Sequence, residues 1–141
     1  MAGVQWSAAQ SLAYIPDGML VTFTAMHQAE YTQYVQIIDA NNRPISFHCL
    51  DGSQASFPIS GSGVNVGFLQ NGAGRFTMAS GMQVQFGSSG PNVPLVSAGN
   101  PVQFFINNKV FGGGTLYVTE DGGDMDYNDT SFVIQWYAYV G

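Results

Sequence analysis

The sequence predicts an all-β fold, a single-domain antiparallel β-sandwich of nine or ten short strands, and three observations carry that expectation. Apolar and polar residues alternate with a period of two, and glycine-rich punctuation interrupts the alternation every ten residues or so. No stretch shows the apolar period of a helix longer than a turn or two. The 141 residues are enough for one ordinary core, and 45% hydrophobic residues with 10 Phe, 7 Tyr and 2 Trp exclude disorder as the main state.

Residues 1–18, ending in the turn Pro16-Asp17-Gly18, form either a first strand or an N-terminal arm. In Val21-Thr22-Phe23-Thr24-Ala25, Met82-Gln83-Val84-Gln85-Phe86 and Val102-Gln103-Phe104-Phe105-Ile106 the apolar side chains fall mainly at alternate positions, on one sheet face. Asp51-Gly52, Asn71-Gly72, Gly87-Ser88-Ser89-Gly90-Pro91 and Gly112-Gly113-Gly114 supply the positive φ angles and breaks of tight turns. The last segment is the most regular. Thr130, Phe132, Ile134, Trp136, Ala138 and Val140 share a core phase, while Ser131, Val133, Gln135, Tyr137 and Tyr139 make a semi-polar aromatic face suited to a subunit contact. No internal linker or fixed-period repeat divides the chain, so 1–141 reads as one domain.

Charge narrows the function classes. The net charge of -6 rests on 9 acidic and 3 basic residues, and Arg43, Arg75 and Lys109 are scattered, which excludes a nucleic-acid footprint. No run reaches the roughly 18 to 20 apolar residues of a membrane-spanning helix, and Met-Ala-Gly-Val-Gln-Trp is no Sec signal. The expectation is a cytoplasmic pool with no membrane insertion. A single Cys49 forms no internal disulfide and reads as a small buried hydrophobe. Gly61-Ser62-Gly63 lacks the third glycine of a dinucleotide loop, Lys109 is followed by Val110, and there is no Gly-x-Ser-x-Gly elbow. His48 reads as a strand residue, and His27 and His48 have no partners spaced for a triad or a zinc site.

Five of the nine acids lie in Glu120-Asp121-Gly122-Gly123-Asp124-Met125-Asp126-Tyr127-Asn128-Asp129. Two like charges about 4 Å apart repel by roughly 4 kcal/mol at an effective dielectric near 20, so such a loop needs a counter-charge. With so few Lys and Arg, a cation is the economical source. Hard oxygen ligands without His or Cys select calcium, with Asp124, Asp126 and Asn128 at alternating positions and Glu120 and Asp129 closing the shell. Gly122 and Gly123 let the backbone wrap tightly. The spacing is not that of an EF-hand, and Asn128-Asp129-Thr130, formally a glycosylation sequon, is discounted because a metal-ligating Asn cannot carry a glycan. No carboxylate of the loop is expected in an apolar niche that would suit acid catalysis, so an enzyme is not expected.

That decapeptide, followed by Val133-Ile134-Gln135-Trp136 and a final Gly141, resembles the small calcium-dependent bacterial lectins of the fucose- and mannose-binding type, related to the second lectin of Pseudomonas aeruginosa. Their pattern is Glu-Asp-Gly-x-Asp-x-Asp-Tyr-Asn-Asp, then an apolar strand with Trp and a terminal glycine. The resemblance implies a nine-stranded β-sandwich with two adjacent calcium ions whose shells a monosaccharide completes through its hydroxyls. It implies Glu120, Asp124, Asp126, Asn128 and Asp129 as metal ligands, with the Gly141 carboxylate coming from a neighbouring subunit of a homodimer or homotetramer. Asp121, Asp124, Asp126, Asp129 and Gly141 would also meet the sugar. A second match, Leu20-Val21-Thr22-Phe23-Thr24-Ala25, places a calcium-binding carbonyl at Met26 and a sugar-contacting loop at His27-Gln28-Ala29, where the family usually carries Asn before small residues. Bulkier His27 and Gln28 would then stand at the rim. The expected function is a calcium-dependent lectin for fucose- or mannose-type sugars, released or displayed by a non-classical route. The alternative is a structural, self-assembling sandwich that calcium merely staples.

Overall fold

The computed structural model describes residues 3–41, 44–49, 59–62, 67–70, 73–123 and 125–139, with 44–49, 59–62 and 67–70 described by their backbone alone. Two antiparallel sheets stack face to face, as the alternation requires. The first has the order β1-β9-β4-β5-β6, with β2 also on β9: β1 Gln5–Trp6, β2 Gln10–Ser11, β4 Gln33–Ile38, β5 Pro44–Cys49, β6 Ile59–Ser62 and β9 Gln83–Ser88. The second has the order β10-β12-β13-β3-β8-β7, with β11 also on β12: β3 Leu20–His27, β7 Gly67–Gln70, β8 Ala73–Thr77, β10 Leu95–Ala98, β11 Val102–Ile106, β12 Lys109–Glu120 and β13 Thr130–Tyr137. The expected nine or ten strands become thirteen among the described residues, because two-residue strands form near the N-terminus and two short strands share one edge of β12.

The core is the inner phase of each sheet. Val21, Phe23 and Ala25 of β3 and Phe132, Ile134 and Trp136 of β13 face Val35 and Ile37 of β4 and Val84 and Phe86 of β9. Burying each of the larger side chains contributes roughly 1.5–3 kcal/mol. Phe86 lies edge-on to Phe132, with ring centroids 5.8 Å apart, and joins the two layers. Tyr14 and Tyr117 share a hydrogen bond of 2.9 Å, and burial pushes both phenols up from their ordinary value. Leu12 and Ile15 are buried in the same core, so the stretch read as strand or arm is packed into the sandwich.

Three sequence readings change on contact with the structure. Gly112, Gly113 and Gly114 are no turn; they lie buried inside β12, where a Cβ on Gly113 would stand 2.7 Å from the Trp136 indole nitrogen and one on Gly112 would strike the Trp136 carbonyl. They are small because strands β11 and β13 crowd β12 from both sides. The turn before β12 is instead Asn107-Asn108, both with positive φ (51° and 64°), residues whose short amides tolerate the left-handed region. The third change is β11, whose five residues are all exposed, so its alternation faces no core. Cys49 and His48 lie on β5 as strand residues, and the turns expected at 51–52 and 71–72 fall outside the described residues.

Candidate functional site

Strands β12 and β13 diverge beyond the pair Val118↔Ser131, and the acidic decapeptide fills the gap. Its neck is closed by Thr119, whose carbonyl accepts from the Asp129 N–H (3.2 Å) and whose hydroxyl accepts from the Thr130 N–H (3.0 Å). Across the mouth, the Asp121 N–H donates to Asp129 Oδ2 at 2.6 Å. Glu120, 1% exposed, accepts from the Gly122 N–H at one oxygen (2.9 Å) and from the Tyr127 N–H at the other (3.2 Å). Met125 and Tyr127 adopt positive φ (58° and 51°) on either side of Asp126, an unusual conformation for bulky side chains. The tight wrapping expected of Gly122 and Gly123 therefore falls on these two residues, since neither glycine has positive φ and neither is crowded.

The result is convergence. Glu120, Asp126 and Asp129 each offer a carboxylate oxygen, all within 4.8 Å of one another. At that separation each ionised pair would repel by roughly 3 kcal/mol at an effective dielectric of 20. Of the described Lys and Arg, Lys109 begins β12 at the end opposite Glu120, and Arg75 sits on β8 facing Thr22. Asp129 shows the strain, its carboxyl pushed up from 3.8 to about 8 by burial first, with the Asp121 and Glu120 carboxyls adding and the Asp121 N–H opposing. The expectation that no carboxylate here is perturbed by burial is thus corrected.

These residues fit a hard cation. The donors are all oxygens, and Asn128 stands beside them: its side-chain amide, with nitrogen donating, lies 2.9 and 3.0 Å from the two Asp126 carboxylate oxygens.

The strand end beside the loop differs from the expectation. Met26 lies within the β3–β13 ladder opposite Ser131, its side chain turned outward and half-exposed. His27 is turned inward and 1% exposed, in phase with Val21, Phe23 and Ala25, so its ring adds no bulk to a rim. The residue that reaches the loop is Gln28, whose N–H is shared by the Asn128 and Asp129 carbonyls, both at 3.2 Å. Asp124 and Gly141 lie outside the described residues.

A buried polar pair beneath the loop was not singled out from the sequence. Gln33 and Ser88, directly opposite each other on β4 and β9, both donate to Asp121 Oδ2, at 2.7 and 2.9 Å. Their signal was available: each is a polar residue in the core phase of an otherwise apolar alternation, Gln33 with Val35 and Ile37, Ser88 with Val84 and Phe86. Asn92 adds a bond from its Nδ2 to the Asp121 carbonyl at 3.2 Å.

Against known families, the model of fucose-binding lectin II (PA-IIL) matches residues 13–138, nearly the whole chain. The chain belongs to this family. It is a carbohydrate-binding lectin of the all-β sandwich type rather than an enzyme. Among solved structures it is similar to the C-terminal domain of a Burkholderia cenocepacia lectin, at TM-score 0.63 and 21% identity over 100% of this chain and 98% of that one. It is also similar to a Chromobacterium violaceum lectin in complex with alpha-methyl-fucoside (TM-score 0.60, 22% identity, 100% and 99% covered). A high-affinity mannose-binding lectin of Ralstonia solanacearum matches at TM-score 0.60 and 21% identity, again over 100% and 99%. None of the curated proteins matches by sequence.

Proposed function

We propose that this lectin binds fucose- or mannose-type sugars in a calcium-dependent manner at the acidic loop, with two ions per site. The observation that carries the reading is the convergence of Glu120, Asp126 and Asp129 within 4.8 Å in a PA-IIL family chain. Glu120, Asp124, Asp126, Asn128 and Asp129 would hold the ions, together with the Gly141 carboxylate of a second copy. Bound calcium supplies coordination positions that vicinal hydroxyls fill in place of water. The chain's own residues do the rest. The Asp121 and Asp126 carboxylates accept from sugar hydroxyls, a charge-assisted geometry that gives direction. At the strand end the Met26 carbonyl would be a further ligand, and the Gln28 N–H ties the strand end to the Asn128 and Asp129 carbonyls beside it.

The outer face of the second sheet supports the homodimer or homotetramer. Val102, Phe104, Leu116 and Val133 are exposed there around a groove of about 330 Å³, and Tyr137 is exposed farther along β13. Calorimetric titration with methyl-α-fucoside and methyl-α-mannoside tests the function: heat of binding in calcium that vanishes in chelator is expected. Calcium binding without either sugar would favour the stapled structural sandwich instead.

A further inference from the structure

Among the described hydrogen bonds of the loop carboxylates, those of Asp121 reach the opposite sheet. Gln33 and Ser88 are cross-strand partners on the first sheet, 1% and 0% exposed, and both aim donors across the sandwich at the same oxygen, Asp121 Oδ2. Each is itself fixed. Gln33 Oε1 accepts from the Thr130 hydroxyl at 3.1 Å, and Ser88 Oγ accepts from the Gly90 N–H at 3.0 Å. The backbone of Asp121 is tied as well, its N–H to Asp129 and its carbonyl to Asn92.

From this geometry we infer that Gln33 and Ser88 are positioning residues for sugar recognition, acting through Asp121. Two donors on Oδ2 commit that oxygen to the protein and stop the carboxylate from rotating. Oδ1 is then the acceptor presented to a sugar hydroxyl, in one fixed direction. Gln33 has a second effect: its Nε2 also donates to the Tyr31 carbonyl at 3.1 Å. One amide nitrogen thereby joins the loop carboxylate to the segment that follows Gln28, so both walls of the site share a single anchor. The Tyr31 ring packs where a Cβ on Gly90 would stand 2.7 Å away, and that keeps the segment close to the same strand end. Both residues are uncharged donors whose bonds reach Asp129 only through Asp121, so sugar and calcium affinity are read separately in the test.

This inference rests on the lectin reading, and its test separates the two. Gln33→Met keeps the length and removes the donors; Ser88→Ala removes one hydroxyl and is the milder change. Calcium affinity without sugar, methyl-α-fucoside and methyl-α-mannoside affinity at saturating calcium, and the unfolding temperature in chelator are measured for both and for the parent protein. The expected result is a sugar affinity about tenfold or more weaker, as for loss of a bond to a charged acceptor, with calcium affinity kept within about threefold. Parallel loss of calcium and sugar affinity, or sugar affinity unchanged in Ser88→Ala, overturns the positioning role. A parent protein that binds neither sugar overturns the lectin reading itself, and this inference with it.

Discussion

Asp129 carries the clearest chemical signature of the site. In chelator the folded protein keeps its proton from the ordinary value of 3.8 up to about 8, while the unfolded chain releases it near 3.8. The folded state then binds more protons across that window, so stability must fall as pH rises through it. The unfolding temperature in chelator is expected to be lower at about pH 9 than at about pH 5, and calcium should remove the difference because its binding requires the carboxylate. A melting temperature that rises with pH in chelator would contradict this assignment. Asp126, exposed and flanked by two left-handed residues, brings its charge to the convergent carboxylates rather than to packing. Asp126→Ala should therefore abolish calcium binding and sugar binding together while leaving the fold intact in chelator, as calorimetry and circular dichroism would show. Retained calcium affinity would place the site elsewhere.

At the scale of elements, the regular strands were legible because one physical demand, a single buried face, wrote them. β13 keeps its core phase from Thr130 to Trp136 without exception, and β3 does the same from Val21 to His27. That same phase is why His27 points inward, a consequence its polarity disguised. Where two demands overlap, the alternation misleads: β11 reads as a core strand although no layer covers it, and the glycines of β12 read as a turn although their cause is the closeness of Trp136. The acidic loop was legible as a convergence of carboxylates because charge density is a property of sequence alone. Its left-handed residues, Met125 and Tyr127, were not, since nothing in those side chains announces positive φ. The β12 account is checked by Gly113→Ala, whose Cβ must displace the Trp136 indole or the Val102 carbonyl. A loss of about 1–3 kcal/mol in denaturant unfolding is expected, and a neutral result would mean the strands are free to separate.

For the whole molecule, the two sheets divide the work. The first supplies Gln33 and Ser88 beneath the loop, and the second carries the loop on one end and an exposed apolar face on its outside. Leu116 and Val133, register partners on β12 and β13, lie in the middle of that face. Leu116→Asp is expected to shift sedimentation toward the monomer and to weaken binding to a multivalent sugar surface more than to a free monosaccharide, because avidity multiplies affinity only when copies are joined. An unchanged sedimentation coefficient would remove that face from the assembly. The central claim is that sugar is recognised through cations held by the acidic loop. A glycan array of the untagged protein, run once in millimolar calcium and once in excess chelator, tests it most directly. Binding to fucosylated or mannosylated glycans in calcium alone is the predicted result; binding to the same glycans that persists in chelator would contradict the account.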